Sequence, residues 1–168
     1  GGTYYPETYG ANPNDGNDDR AAIQSAIDAA SAAHGTVQFS TGTYYLGADL
    51  TMKSYVRLLG NGSANTYIRS LAGAPDTIKM FSFPGTTATQ AKYVKFQDLT
   101  LDLAGNYDAT SPYASGFILH GSPSFLWLDH VNMGANQGPG QTPAYLVTNT
   151  LANGAATDHI FLSYVNCY

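Results

Sequence analysis

"VKFQDLTL" at residues 94–101 recurs as "LWLDHVNM" at 126–133 and as "IFLSYVNC" at 160–167. The first, third, sixth and eighth positions are apolar in every copy. A step of two is strand periodicity. The step of three between the third and sixth positions interrupts it, so each copy reads as a short strand, a corner and a second short strand. The copies start 32 and 34 residues apart. A unit this small cannot bury an apolar face alone, so the period predicts stacked units whose equivalent residues form columns.

Outward from these copies, Ser115–Leu119 and Ala144–Val147 read as shorter strands in the gaps, and Val56–Gly60, led in by Thr43–Leu46, reads as an earlier copy. Strand after strand without intervening helices predicts an all-β fold, a single-stranded parallel β-helix or solenoid. The exception lies near the N-terminus, where "YGANPNDGNDDRAAIQSAIDAASAAHGTVQFSTGTYYL" spans residues 9–46. Asp18 or Asp19 is suited to accept from the free amides of a helix start. Ile23 and Ile27, with Ala26 and Ala30, make one narrow apolar stripe, while Gln24, Ser25 and Asp28 are expected to face out. Gly35 is the expected stop, and Thr36, Val37 and Phe39 resume strand alternation. A helix from about Asp19 to His34 with so thin a stripe must lie on another element's core. The open end of a stack of strands, with its unpaired edges, is the natural place for it.

The composition agrees with many strands and turns: 18 Gly and 13 Tyr in 168 residues, with charged side chains only 11% of the chain. That length predicts one domain, residues 1–168, read as the N-terminal part of a longer solenoid or a unit completed by a neighbouring chain. A net charge of −5 with seven scattered Lys and Arg gives no electrostatic footprint for nucleic acid. No apolar run approaches the roughly 18 residues of a membrane span. The chain begins GGTYY without an initiator Met, which predicts a processed or excised product. Cys167, the single cysteine, excludes an internal disulfide, and its column with Leu101 and Met133 predicts a buried small hydrophobe.

Residues 9–46, followed by "LTMKSYVRLLGNG" at 50–62, resemble the N-terminal region of the pectate-lyase-like superfamily of right-handed parallel β-helix proteins. The shared pattern is an aromatic plus Gly-Ala, an Asp-Gly turn, Asp-Asp, a capping helix, Gly-Thr-Val-x-Phe, Gly-Thr-Tyr and Leu-x-Gly-x-Gly. The resemblance implies an N-terminal capping α-helix on a β-helix that is secreted or surface-associated and handles polysaccharide. It leaves open a lyase, a glycoside hydrolase, an epimerase, or a non-catalytic structural or adhesive subunit, since fold alone does not select among them. "WLDHV" at 127–131 also resembles the Trp-x-Asp-His string of pectate lyases, but the further calcium carboxylates and the catalytic Arg of those enzymes have no match here.

Chemistry on an acidic sugar needs a proton acceptor and donor beside the carboxylate. Asp98, His130 and Tyr164 share the corner position of the three copies and are the candidate catalytic column; stacking places successive members about 5 Å apart. Tyr107, Tyr113 and Trp127 are the candidate substrate-binding aromatics, set within a wider supply of Tyr that also serves strand packing. His34, His120 and His159 lack metal-ligand spacing and read as turn or surface residues. No cofactor is expected; a calcium site from Asp102, Asp108 and Asp129 is a weaker expectation. The expected partners are a polysaccharide and copies of the chain itself, stacked head to tail, which would give a filament because such contacts do not close.

Overall fold

The computed structural model describes residues 1–75, 78–84, 90–103, 116–134, 146–148 and 158–168. The chain opens with β1 (Thr3–Tyr4), a single 3₁₀ turn (Pro6–Tyr9) and α1 (Arg20–Ala33). Strands β2 (Thr36–Gln38), β3 (Gly42–Leu46), β4 (Leu50–Thr51), β5 (Arg57–Leu59), β6 (Thr66–Ser70) and β7 (Lys79–Phe83) follow. The longer β8 (Lys92–Asp102) and β10 (Ser124–Gly134) alternate with β9 (Phe117–Gly121) and β11 (Leu146–Thr148), before β12 (Asp158–Cys167).

Every strand pairing is parallel, and the pairings fall into an eight-stranded and a four-stranded sheet. The larger sheet is folded along a line. β8 pairs through residues 95–97 with β5 and through residues 100–102 with β6, so its two ends belong to different limbs. Asp98 lies between them at φ 57°, His130 of β10 at φ 52° and Tyr164 of β12 at φ 51°. One left-handed residue turns the strand without breaking the ladder, as the three-residue step at 96–99 predicts. In the earlier rungs a loop between β5 and β6 does the same work. The chain visits first limb, second limb and smaller sheet in the same order each time.

The repeat register is the one the sequence predicts: Val94, Leu126 and Ile160 are partners, and so are Leu101, Met133 and Cys167. Val37, Leu58, Phe96 and Leu128 form one inward column, and Tyr44, Ile68, Leu101 and Met133 another, all buried. Cys167 keeps its register but not its burial. It is exposed, because β12 is the outermost strand of the sheet and nothing described lies over its inward positions. Leu162, in line with buried Leu128, is 61% exposed for the same reason.

α1 runs one residue inside the expected limits and buries Ala22, Ile23, Ala26, Ile27 and Ala30, packing beside β1, β2 and β4. At its start one of the two expected aspartates, Asp18, accepts from the first helical amide, Arg20 N; the other and the C-terminal stop differ from expectation. Asp19 does not cap α1; the Asp19 carboxylate instead accepts from the amides of Asn12 and Tyr45, stapling the preceding loop to β3. Asp18 also accepts from Gly47 N. The left-handed stop is His34 at φ 50°, one residue before Gly35. Gln24 does not simply face solvent, since its amide accepts from Thr51 N and donates to Thr51 O, closing the edge of β4 as a neighbouring strand would.

Candidate functional site: the outer face of the first limb

Beyond β1, each first-limb strand is entered through a left-handed residue, and each of those residues carries a ring. His34, Tyr55, Tyr93, Phe125 and His159 have φ between 50° and 61°. A non-glycine residue meets a cost of about 1–2 kcal/mol in this conformation. The rings offset it by stacking on one another along the rungs. Centroid separations are 4.3 Å for His34 and Tyr55, 5.3 Å for Tyr55 and Tyr93, 4.8 Å for Tyr93 and Phe125, and 4.4 Å for Phe125 and His159. Because the faces meet each other, it is the ring edges that reach solvent. The sequence signal was present: Tyr93, Phe125 and His159 each stand one residue before the repeat's first apolar position.

Beside this column runs the outward column Thr36, Arg57, Lys95, Trp127 and Phe161, partners in register. Trp127 and Phe161 stack at 5.2 Å and 12°. One face of the indole is thereby covered, and the other is turned toward the strand that carries Lys95. Along the rungs between His34 and Trp127 lies an open groove of about 410 Å³, with Tyr55, Tyr93, Arg57 and Lys95 among its walls. Arg57 Nη2 donates to Gln97 Oε1 at 2.6 Å, while its buried Nε meets no acceptor.

Nearer the bend, Asp129 links Lys95 and His130. Its Oδ2 is 3.4 Å from Lys95 Nζ, and its Oδ1 is 2.7 Å from His130 Nδ1. The hydrogen bond from His130, aided by Lys95, holds the Asp129 carboxyl below the ordinary carboxylate range. Nδ1 is the nitrogen that faces Asp129, and Nε2 is the one that Asp129 does not engage. The His130 and Tyr164 rings stack at 4.5 Å. The structure therefore aligns Asp98, His130 and Tyr164 at the bend, but the carboxylate that meets the imidazole is Asp129. No hydrogen bond or ion pair reaches the Asp98 side chain among the described residues; its backbone carbonyl accepts from Gly62 N.

Tyr107, Tyr113 and Asp108 lie outside the described residues. The other two carboxylates considered for calcium are not brought together. Asp102 stands beyond the bend in β8, buried and bonded to Nε and Nη2 of Arg69 at 3.1 and 2.9 Å, while Asp129 stands before the bend in β10. Among the described residues no three His, Cys, Asp or Glu side chains gather closely enough to hold a metal ion. His120 lies on the smaller sheet against Phe117, where burial, then Lys79, lowers its pKa.

All-parallel strands in a three-sided order, carrying polar and aromatic columns on the outside, define a class that one family model matches directly. Residues 7–162 match the family described as "Rhamnogalacturonase A/epimerase, pectate lyase-like", and the chain belongs to it. The chain is similar to mannuronan C5-epimerase AlgE4 of Azotobacter vinelandii, with 35% identity over 122 residues, covering 68% of this chain and 22% of that protein. It therefore spans about a fifth of that relative's length. The solved A-module of AlgE4 superimposes with a TM-score of 0.64 at 27% identity, covering 78% of this chain and 38% of the module. The AlgE6 A-module, also from Azotobacter vinelandii, gives 0.61 over 85% of this chain and 44% of the module; at 22% identity it speaks to fold alone. Among the described residues no helix is long and apolar enough to cross a membrane.

Proposed function

We propose that this chain is an extracellular β-helix module that binds or acts on an acidic polysaccharide of the mannuronan kind. The observation that carries the reading is the grouping, on one outward face of a chain in this family, of Arg57, Lys95, Asp129 and His130. Inversion at the carbon beside a uronate carboxylate requires removal of its proton and return of a proton from the other face. In this reading the parallel strands form a right-handed solenoid with α1 over its N-terminal end, and residues 1–168 are a single domain, either the N-terminal part of a longer solenoid or a unit completed by a neighbouring chain. His130, held by Asp129, takes the proton through Nε2; Tyr164, stacked on it, is the second acid–base group of the column, with Asp98 one rung away, and the proton returned to the far face comes from solvent. Lys95 offsets the charge that grows on the substrate carboxylate.

The experiment is incubation with polymannuronate, following C5 inversion by proton NMR and chain cleavage by absorbance of the unsaturated product. Turnover lost in His130→Ala, with the fold retained by circular dichroism, is the expected result. Full turnover in that variant would remove the column from the mechanism.

A second reading is a structural or adhesive subunit that stacks end to end or forms part of a tailspike-like assembly. The fold leaves it open, since the same fold serves catalytic and non-catalytic proteins. Sedimentation across a concentration series with negative-stain imaging tests it: filaments support it, and a monomer at every concentration would end it.

A further inference from the structure

We infer that the groove between His34 and Trp127 is a binding subsite for the carboxylate-bearing sugars of an anionic oligosaccharide, joined through Lys95 to the bend that holds His130. The inference rests on the polysaccharide reading above and specifies where, and through which charges, such a chain is held.

Three observations converge on it. The first is an unbalanced cation. Arg69 is matched by Asp102, Lys53 by Asp28 and Lys95 by Asp129, whereas among the described residues Arg57, like Arg20, Lys79 and Lys92, makes no ion pair, and of these four Arg57 alone lines the groove. Its guanidinium leans on the neutral Gln97 amide and leaves Nε without an acceptor. A planar fork so placed suits a carboxylate, which it can engage through two parallel bonds. The second is spacing. Arg57 and Lys95 are register partners on adjacent parallel strands, so their stems rise about 4.8 Å apart. That is close to the rise of one sugar in an extended 1,4-linked uronan. The third is the wall. Trp127, stacked on Phe161, stands at one end of the groove and offers it apolar indole surface for contact with a pyranose ring.

Tyr55 and Tyr93, 44% and 42% exposed, present ring edges along the side. The volume of about 410 Å³ falls within the roughly 300–1,000 Å³ of small-ligand sites, which suits a short stretch of sugar. A neutral glycan would leave Arg57 uncompensated, so the groove selects for charge.

Trp127 is the only tryptophan in the chain, so intrinsic tryptophan fluorescence reports on this groove. The test titrates the protein with a mannuronate tetrasaccharide, and with neutral mannotetraose as control, by fluorescence and calorimetry together. The expected result is a saturable Trp127 change with the uronate alone. Arg57→Gln should weaken binding about 10–100-fold, the range for losing a hydrogen bond to a charged group. Lys95→Gln should weaken it less, because Lys95 already shares its charge with Asp129.

Uronate binding by calorimetry with Trp127 unmoved, or with Arg57→Gln and Lys95→Gln both at native affinity, would place the ligand elsewhere. That result overturns the groove and leaves the polysaccharide reading intact. Equal affinity for mannotetraose would overturn the role given to the cations. Absence of binding to either the tetrasaccharide or long polymannuronate would overturn the polysaccharide reading and the groove with it.

Discussion

Replacing His130 by alanine and by glycine separates its backbone role from its side-chain role. At φ 52° the residue sits where a side chain adds about 1–2 kcal/mol of backbone cost relative to glycine. The ring stack on Tyr164 at 4.5 Å returns about 0.5–1.5 kcal/mol. The exposed contact with Asp129 adds little to stability. His130→Ala removes the stack and keeps the strained backbone, so it should destabilise by about 1 kcal/mol. His130→Gly removes the same stack and also the strain, so it should be more stable than the alanine variant by about 1–2 kcal/mol. In a domain of this size that difference is roughly 3–6 °C in Tm. Urea unfolding followed by far-UV circular dichroism, with thermal melts in parallel, measures both variants. A glycine variant no more stable than the alanine variant would refute the claim that the bend is held against its backbone preference. Both variants lack the imidazole, so under the proposed chemistry both should lose turnover alike, by about 10²–10⁴-fold.

The remaining predictions concern the scaffold. Gly121 has φ 125°, and a Cβ there would collide with the Phe83 carbonyl of the adjacent strand, so Gly121→Ala should cost roughly 2–5 kcal/mol by urea unfolding. Asp19→Ala strands the amides of Asn12 and Tyr45 and should cost about 2–4 kcal/mol, with Asp19→Asn recovering part of it. Burial raises the Asp19 carboxyl above its ordinary 3.8. Its pH-linked contribution is therefore fully present below that value and is lost as pH rises through the higher folded pKa. Asp129 runs the other way: lowered by its hydrogen bond from His130 and by Lys95, it contributes above pH 3.8 and loses that contribution as pH falls through its lower folded pKa. Asp129→Asn should flatten the fall in unfolding midpoint below about pH 4.

The register of the large sheet was legible because its signal is redundant. Three copies carry apolar residues at four matched positions, and a slip of one residue would turn every one of them outward. The bend was legible for a related reason: a step of three inside a pattern of two has few physical meanings. The earlier rungs were harder to read. Inward Val37, Leu58 and Phe96 are separated by 21 and then 38 residues, because loops of different length replace the single-residue bend. The sequence leaves the start of α1 open between Asp18 and Asp19 because the Asp19 carboxylate has two uses that compete with capping, while Asp18 meets the first helical amide. The amides of Asn12 and Tyr45 come from distant parts of the chain, and no local rule weighs them.

Why Arg57, Lys95 and Phe161 were not legible in the sequence, where Trp127 was singled out, follows from the same geometry. A sequence pattern of burial reports inward positions, where packing constrains residue type, whereas recognition in a stacked fold uses outward positions that need no shared chemistry from rung to rung. Arg57, Lys95, Trp127 and Phe161 share one column yet have neither charge nor shape in common. Only the fold makes them neighbours. The aromatic column is the intermediate case: its rings are alike, but each occupies a left-handed position where turn rules anticipate Gly or Asn. The rings can hold that conformation because each stacks on the next, so their stability belongs to the column as a whole. A local rule cannot foresee it, and the same constraint leaves the stacked edges of Tyr55 and Tyr93 fixed beside Arg57 before any ligand arrives.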